Sequence, residues 1–183
     1  MKMNQDFYTE SEKKVLELNI RKTIFELVRK HAGCHFRELE RKSKLATGTI
    51  KYHLNYLVKN QLISEIKENN NIRYFPKGFN SENKRTLSVL RQKSVRNILL
   101  YILVHEYCNH EQIAKKVNLS NSTISWHLKK LIKSNIIQSH KEGRKTYFKI
   151  KINKQDIINL LITYKESFLD QLVNNIIEMW EID

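Results

Sequence analysis

Apolar residues recur at intervals of three and four along most of this chain, a spacing that places them on one face of a helix. Two long stretches with this pattern run roughly from Ser11 to His31 and from Lys84 to His105. Shorter stretches follow near Phe36 to Ser43 and Glu111 to Val117. The hydrophobic pattern therefore predicts a long helix followed by a short one, twice.

A third helix is predicted after each short one, beyond a tight turn. These helices are expected to begin at the capping residues Thr47 and Ser120. Their apolar positions follow an i, i+4, i+7 spacing and share one face: Ile50, Leu54 and Leu57 in the first, Ile124, Leu128 and Leu131 in the second. The opposite face of each helix is left to polar and aromatic residues.

Short β-rich segments follow each third helix. We expect 62–66 to pair with 72–75 across the loop 67–71, and 136–140 to pair with 146–150 across 141–145. Both returning strands contain a tyrosine followed by a phenylalanine, Tyr74-Phe75 and Tyr147-Phe148. The predicted fold class is mainly α with small β-hairpins.

The chain repeats itself. Residues 37–66 and 111–140 align without a gap at an offset of 74, with 9 identities in 30 positions. The order of predicted elements is the same in both copies, so we interpret the chain as a duplicated module. The sequence predicts modules at 1–78 and 79–152, separated near Pro76, and a C-terminal segment at 153–183.

Composition narrows the possible partners. The formal net charge is +14 and the pI about 9.7, which favours polyanions such as nucleic acid or an anionic membrane. The longest apolar run, Ile98 to Val104, is far shorter than a membrane-spanning helix. We therefore expect a cytoplasmic, nucleoid-associated protein that does not enter a membrane.

The C-terminal segment differs from the rest. Residues 154–183 carry a net charge of −4, which leaves +18 for the remainder. From Lys154 to Trp180 the pattern predicts one long helix with a wide apolar stripe of Ile157, Leu161, Tyr164, Phe168, Leu172, Ile176 and Met179. This stripe indicates homodimerisation through the helix, and the alternative is packing against the helix's own module.

The order helix, helix, tight turn, helix and basic hairpin is that of a winged helix-turn-helix. The segments TGTIKYHLNYLVKNQLI and NSTISWHLKKLIKSNII resemble the recognition-helix pattern of ArsR/MarR-like winged-helix regulators. The tandem arrangement resembles archaeal tandem winged helix-turn-helix transcriptional regulators. This resemblance implies sequence-specific binding of double-stranded DNA, with recognition helices in the major groove and wings on the backbone. One departure is that Asn60-Gln61 and Asn135 replace the usual glycine before the hairpin.

The resemblance also implies which residues contact DNA. In the first module the expected residues are Thr47, Gly48, Thr49, Lys51, Tyr52, His53 and Asn55, with Lys67 and Arg73 on the wing. In the second they are Ser120, Asn121, Ser122, Ser125, Trp126, His127 and Lys129, with Lys141, Arg144 and Lys145 on the wing. Because the two sets differ chemically, we hypothesise that the modules recognise different half-sites.

Three of these residues leave alternatives open. His53 and His127 lie at the edge of the core face, where each either donates to a phosphate or packs in the interior. Trp126 either packs against thymine methyl groups or sugars of the DNA, or is buried by a rotated helix.

A metal- or thiol-responsive repressor is a lesser alternative. The candidate ligands are His31, Cys34, His35, His105, Cys108 and His110. Against it, neither cluster contains a CxxC pair, and a cysteine also fills a small apolar site well. The sequence therefore predicts no cofactor.

The sequence lacks the motifs of several common enzyme classes. The chain lacks a phosphate-binding glycine loop, an HExxH motif and a nucleophile elbow, so we expect no enzyme. An architectural DNA-binding protein or a protein-interaction scaffold remains an alternative to a transcription regulator. A regulator of this kind would meet promoter or operator DNA and also the general transcription machinery.

Overall fold

The computed structural model describes residues 9–68 and 71–168. The chain divides into two compact units between Asn80 and Ser81, which we call unit 1 and unit 2. Within the described residues, each unit is mainly helical and carries one three-stranded antiparallel sheet. The predicted fold class, mainly α with small β-hairpin wings, is confirmed.

Both units have the same order of elements up to the end of the hairpin, and α9 follows it in unit 2. In unit 1 these are α1 (Glu10–Leu16), α2 (Asn19–Lys30), β1 (Cys34–His35), α3 (Phe36–Ser43), α4 (Thr47–Lys59), β2 (Ile63–Glu68) and β3 (Asn71–Pro76). In unit 2 they are α5 (Ser81–Leu90), α6 (Lys93–Val104), β4 (Cys108–Asn109), α7 (His110–Val117), α8 (Asn121–Lys133), β5 (Ile137–Glu142), β6 (Lys145–Ile150) and α9 (Lys154–Thr163).

Each long first helix of the prediction is in fact two helices. An arginine one turn or less into the second helix donates to a carbonyl of the first in both units. Arg21 Nη1 lies 2.7 Å from the carbonyl oxygen of Val15, and Arg96 Nη1 lies 2.5 Å from that of Leu90. These bonds satisfy carbonyls that have no partner within a helix end. The periodicity continues across both breaks, so the sequence pattern did not reveal them.

The hairpin loops are shorter than predicted. Glu68 pairs with Asn71 and Glu142 with Lys145, so two residues connect the strands in each unit. Gly143 has a φ of 58°, which suits a tight hairpin turn. Several residues assigned to loops therefore belong to strands.

A two-residue strand completes each sheet, in the orders β1-β3-β2 and β4-β6-β5. Cys34 pairs with Tyr74 in unit 1, and Cys108 pairs with Phe148 in unit 2. Tyr74 is thus the counterpart of Phe148, and the two Tyr-Phe pairs of the sequence are one residue out of register. Strands of two residues carry no periodicity, which is why the pattern predicted simple hairpins.

Helices α4 and α8, which correspond to the predicted third helices, are anchored by their apolar faces, as predicted. Ile50, Leu54 and Leu57 of α4 are fully buried, and Ile124 and Leu131 of α8 are as well. Burial of such a side chain contributes about 1.5–3 kcal/mol. This packing fixes which face of α4 and of α8 points outward.

The predicted long C-terminal helix is wrong for the described residues. Helix α9 ends at Thr163, and a 3₁₀ turn follows at Lys165–Ser167. Ile157, Leu161 and Phe168 are buried, and α9 packs against α5 of its own unit. This part of the apolar stripe therefore packs inside its own unit, which was the alternative to dimerisation. The remaining apolar positions lie outside the described residues: Leu169, Leu172, Val173, Ile176, Ile177, Met179 and Trp180.

Candidate nucleic-acid interface

The outward face of α4 is polar and accessible. Thr47, Gly48, Lys51, Tyr52 and Asn55 are exposed there, opposite the buried apolar face. Tyr52 retains 60% of its accessible surface, although a tyrosine gains stability from burial. Thr49 is only partly exposed.

The outward face of α8 repeats this arrangement at an offset of 74. Asn121, Ser122, Trp126 and Lys129 are exposed, and Ser120 directly precedes the helix. Trp126 is 59% exposed, which excludes the alternative in which a rotated helix buries it. Lys130 Nζ lies 5.7 Å from the centroid of the Trp126 ring.

The two helices begin differently. Ser120 caps α8, because its hydroxyl accepts a hydrogen bond from the backbone N–H of Thr123 at 3.2 Å. The cap position of α4 is Ala46, which has no side-chain acceptor, so the expectation of a cap at Thr47 is wrong. Thr47 is the first helical residue, and its hydroxyl donates to the carboxylate of Glu40 on α3.

Glu40 was not predicted as part of the site. Its carboxylate lies at the positive end of the α4 dipole, a position that favours a negative charge. The repeat places Ala114 at this position in unit 2. Alignment of the two copies of the repeat would have revealed this difference between Glu40 and Ala114.

A groove of about 660 Å³ lies in unit 1 between α3, α4 and the β2–β3 hairpin. It brings together Thr47, Lys51, Asn55 and Lys67, four residues that the sequence predicted separately. Arg37 and Arg41, one turn apart on α3, line it as well and were missed. Their i, i+4 spacing indicates a shared face. The groove lining therefore carries four basic side chains and the two carboxylates of Glu38 and Glu65, a net positive charge.

In unit 2 a smaller groove of about 400 Å³ lies between the start of α7 and the wing, with Arg144 and Lys145 in its wall. His110 lines it and contacts the recognition helix: its Nε2 lies 3.0 Å from the Ser125 hydroxyl and 3.2 Å from the carbonyl oxygen of Asn121. Thus His110, considered above as a metal ligand, holds Ser125 in place.

The wings differ in how many basic side chains they expose. Lys67 is exposed in unit 1, whereas Lys141, Arg144 and Lys145 are all exposed in unit 2. The expectation that Arg73 contacts DNA is corrected, because this residue is 5% exposed and its Nη1 donates to the carbonyl oxygen of Gly33 at 2.8 Å. Arg73 ties β3 to the turn before β1.

His53 and His127 are interior residues, 5% and 9% exposed, which favours the packing alternative. Burial, aided by the positive charge of Arg21, lowers the pKa of His53. Burial, aided by Lys130, likewise lowers the pKa of His127. Both imidazoles are therefore neutral at pH 7 and lie in edge contact with the exposed ring before them.

The surroundings of the two cysteines differ from those of a metal- or thiol-sensing site. Cys34 and Cys108 are buried in β1 and β4, and burial raises the pKa of the Cys108 thiol to about 11. A thiol that stays protonated is a poor nucleophile and a poor metal ligand. Within residues 9–68 and 71–168 there is no group of three or more potential ligands placed to hold a metal ion.

Comparison with protein families matches both units. Residues 18–87 match a family described as an N-terminal HTH domain, and residues 91–138 match one described as winged helix-turn-helix DNA-binding. These matches confirm the prediction that the chain is not an enzyme. No helix of the part that the structure describes is long and apolar enough to cross a membrane.

A curated relative supports the same assignment. An uncharacterized HTH-type transcriptional regulator of Methanocaldococcus jannaschii is 31% identical over 139 residues, which make up 76% of this chain. The chain covers only 35% of the length of that relative. The chain carries two helix-turn-helix domains in tandem and is homologous to an archaeal HTH-type transcriptional regulator.

Proposed function

We propose that this protein is a sequence-specific transcription regulator that binds double-stranded DNA through both units. Helices α4 and α8 enter the major groove with their outward faces, and the wings contact the sugar-phosphate backbone. The proposed contacts are Thr47, Gly48, Thr49, Lys51, Tyr52, Asn55 and Lys67 in unit 1, and Ser120, Asn121, Ser122, Ser125, Trp126, Lys129, Lys141, Arg144 and Lys145 in unit 2. Arg37 and Arg41 join this set.

The proposal rests mainly on one observation: α4 and α8 each have two opposite faces of different character. One face is fully buried and fixes the helix, while the other displays amide, hydroxyl and ammonium groups to solvent. Asparagine recognises adenine and lysine recognises guanine in the major groove. The matched family of DNA-binding winged helices supports the same role for unit 2.

Affinity in this proposal comes mainly from phosphates. Exposed lysines and arginines around the unit 1 groove and on the unit 2 wing would release counterions from the duplex, so binding weakens as salt rises. Specificity comes from the outward residues of α4 and α8. The difference between Lys51 with Asn55 and Ser125 with Lys129 gives the two units different preferred half-sites.

The test is DNA binding by two matched triple variants, measured by fluorescence anisotropy. The first removes Lys51, Asn55 and Lys129 from the outward faces, each changed to alanine. The control changes Asn19, Lys22 and Lys93, which are exposed elsewhere and involve the same charges. We expect the first variant to lose at least about tenfold in affinity and the control far less. Equal losses would mean that only net charge binds the DNA.

The proposal includes two protein partners, the general transcription machinery and a second copy of the chain. The general transcription machinery would be met at the promoter that the protein occupies. A homodimer, formed through the apolar positions after Phe168, would carry four helix-turn-helix units and suit a long operator.

A further inference from the structure

Helices α4 and α8 each display one large aromatic ring, at equivalent positions of the repeat. Tyr52 of α4 and Trp126 of α8 are 74 residues apart, the offset of the internal repeat, and both keep about 60% of their accessible surface. They are the only exposed aromatic rings on these two helices. Packing within each unit therefore leaves more than half of this aromatic residue's surface uncovered.

The next residue holds each ring in position. His53 and His127 are buried, and their imidazoles make edge contacts with the exposed rings at centroid distances of 5.1 and 5.0 Å, with interplanar angles of 74° and 67°. We call Tyr52–His53 and Trp126–His127 the aromatic–histidine pairs. A ring supported in this way loses little conformational entropy when it contacts a ligand.

The space beside each ring is open. The Tyr52 ring lies near Tyr56, with 6.4 Å between the ring centroids, and Lys130 lies near the Trp126 ring. On the other side of each ring, toward the N-terminus of the helix, is the residue one turn earlier. That residue is Gly48 for Tyr52 and Ser122 for Trp126, both small and exposed. A Cβ added at Gly48 would meet no atom within 4 Å. A flat apolar group can therefore approach the ring without displacing a neighbour.

The polar side chains around the rings indicate where the apolar group that contacts each ring would lie. Asn55 and Lys129 lie three residues beyond Tyr52 and Trp126, on the same outward face, and Lys130 lies beside the Trp126 ring. In a DNA major groove these groups face base edges and phosphates. The methyl group of thymine is the apolar feature of that groove.

We infer that the two aromatic–histidine pairs recognise thymine methyl groups, so that each half-site of the operator contains an A·T pair at the equivalent position. This inference rests on the proposed function and adds the chemical feature that the outward faces select. It assigns Tyr52 and Trp126 as specificity-determining residues, and His53 and His127 as the residues that position them.

The test uses a duplex selected from a randomised pool and exchanges thymine for uracil in one half-site at a time. Uracil lacks only the methyl group, so base pairing and charge stay unchanged. We expect wild-type affinity to fall by about fourfold for each contacted methyl group removed. Trp126→Ala should bind the thymine and uracil forms of one half-site equally, and Tyr52→Ala those of the other.

Each variant serves as the control for the other, because Trp126→Ala retains thymine preference in the half-site of unit 1 and Tyr52→Ala in that of unit 2. Trp126→Phe, which keeps an apolar ring, should retain the preference and guards against misfolding of the alanine variant. The inference is overturned if the thymine-to-uracil exchange leaves wild-type affinity unchanged, or changes the affinity of all variants equally. The proposed DNA binding would still stand in that case. Failure of the wild type to bind any duplex overturns the proposed function as well.

Discussion

Two pairs of non-glycine residues hold the backbone in the left-handed region at matching positions of the two units. Lys44 and Asn118 end α3 and α7, and Gln61 and Asn135 precede the hairpins, with φ between 53° and 62°. Side chains with a Cβ carry a cost of roughly 1–2 kcal/mol in this conformation. Where Asn60-Gln61 replaces the usual glycine of unit 1, it is Gln61 rather than Asn60 that adopts this conformation.

Gln61→Gly is therefore expected to stabilise unit 1 by about 1 kcal/mol, because glycine adopts this conformation without a steric cost. Chemical denaturation measures the change. Lys42→Gly, at an exposed helical position of α3, should instead destabilise the unit by about 1 kcal/mol. If both substitutions shifted stability in the same direction, the backbone conformation of Gln61 would not be the cause.

The buried histidines give stability a pH dependence. Their pKa values in the folded chain lie below the ordinary 6.5, so the unfolded chain binds protons that the folded chain does not. The contribution is complete above pH 6.5 and is lost as the pH falls from there toward the folded pKa values. Each histidine changes the free energy of unfolding by at most about 1.4 kcal/mol per pH unit.

Denaturation at a series of pH values between 7.5 and roughly 5 measures this effect. We expect the decline on acidification to be smaller in His53→Gln and in His127→Gln than in the wild type. His140→Gln is the control, since His140 is exposed. A decline of unchanged size in both buried-site variants would count against these histidines as its source.

At the scale of the element, the two recognition helices start with different chemistry. Ser120 caps α8, whereas α4 begins after Ala46 without a side-chain cap. Loss of a serine cap typically costs about 1 kcal/mol. We expect Ser120→Ala to destabilise unit 2 by this amount in thermal or chemical denaturation, and Asn121→Ala, at the adjacent exposed position, to change stability little. Equal effects would show that the cap bond does not matter.

Glu40 should weaken DNA binding by unit 1, because its carboxylate lies where a phosphate would approach the start of α4. We expect Glu40→Ala, which copies Ala114 of unit 2, to raise affinity several-fold at low salt. Glu17→Ala makes the same charge change on the exposed end of α1. An equal gain in both variants, measured by anisotropy, would reduce the effect to net charge.

The elements show where sequence reasoning succeeds and fails. The apolar faces of α4 and α8 were predictable because burial imposes a helical spacing on the sequence, and the duplication confirmed the assignment. The helix breaks at Glu17 and Arg91 were not predictable, because the apolar spacing continues across them. The strands β1 and β4 and the interior position of Arg73 were not predictable either, since each depends on a hydrogen bond to a residue distant in the chain. Tertiary bonds of this kind leave no local pattern.

At the scale of the whole molecule, the charge is distributed unevenly. Residues 154–183 carry −4 and the remainder +18, so the C-terminal segment would be repelled from DNA. Ile157, Leu161 and Phe168 are already buried in unit 2, so these positions of the C-terminal stripe are not available to a partner. This restricts the proposed dimer contact to a shorter segment than the sequence pattern suggested.

Removal of residues 169–183 is therefore expected to convert a dimer into a monomer in sedimentation experiments while the helical circular dichroism of the units is retained. A cut after Asn153 is unsuitable, because it would also remove the buried residues of α9. A truncated chain that remained dimeric would contradict dimerisation through this segment.

The most direct test of the account is selection from a randomised pool of double-stranded DNA, with the bound fraction sequenced at two salt concentrations. The account predicts a motif of two unlike half-sites, each with a fixed A·T pair, that persists at the higher salt. Retention that vanishes with salt and leaves no motif would mean that the +14 charge alone binds DNA, and would contradict sequence-specific recognition by α4 and α8.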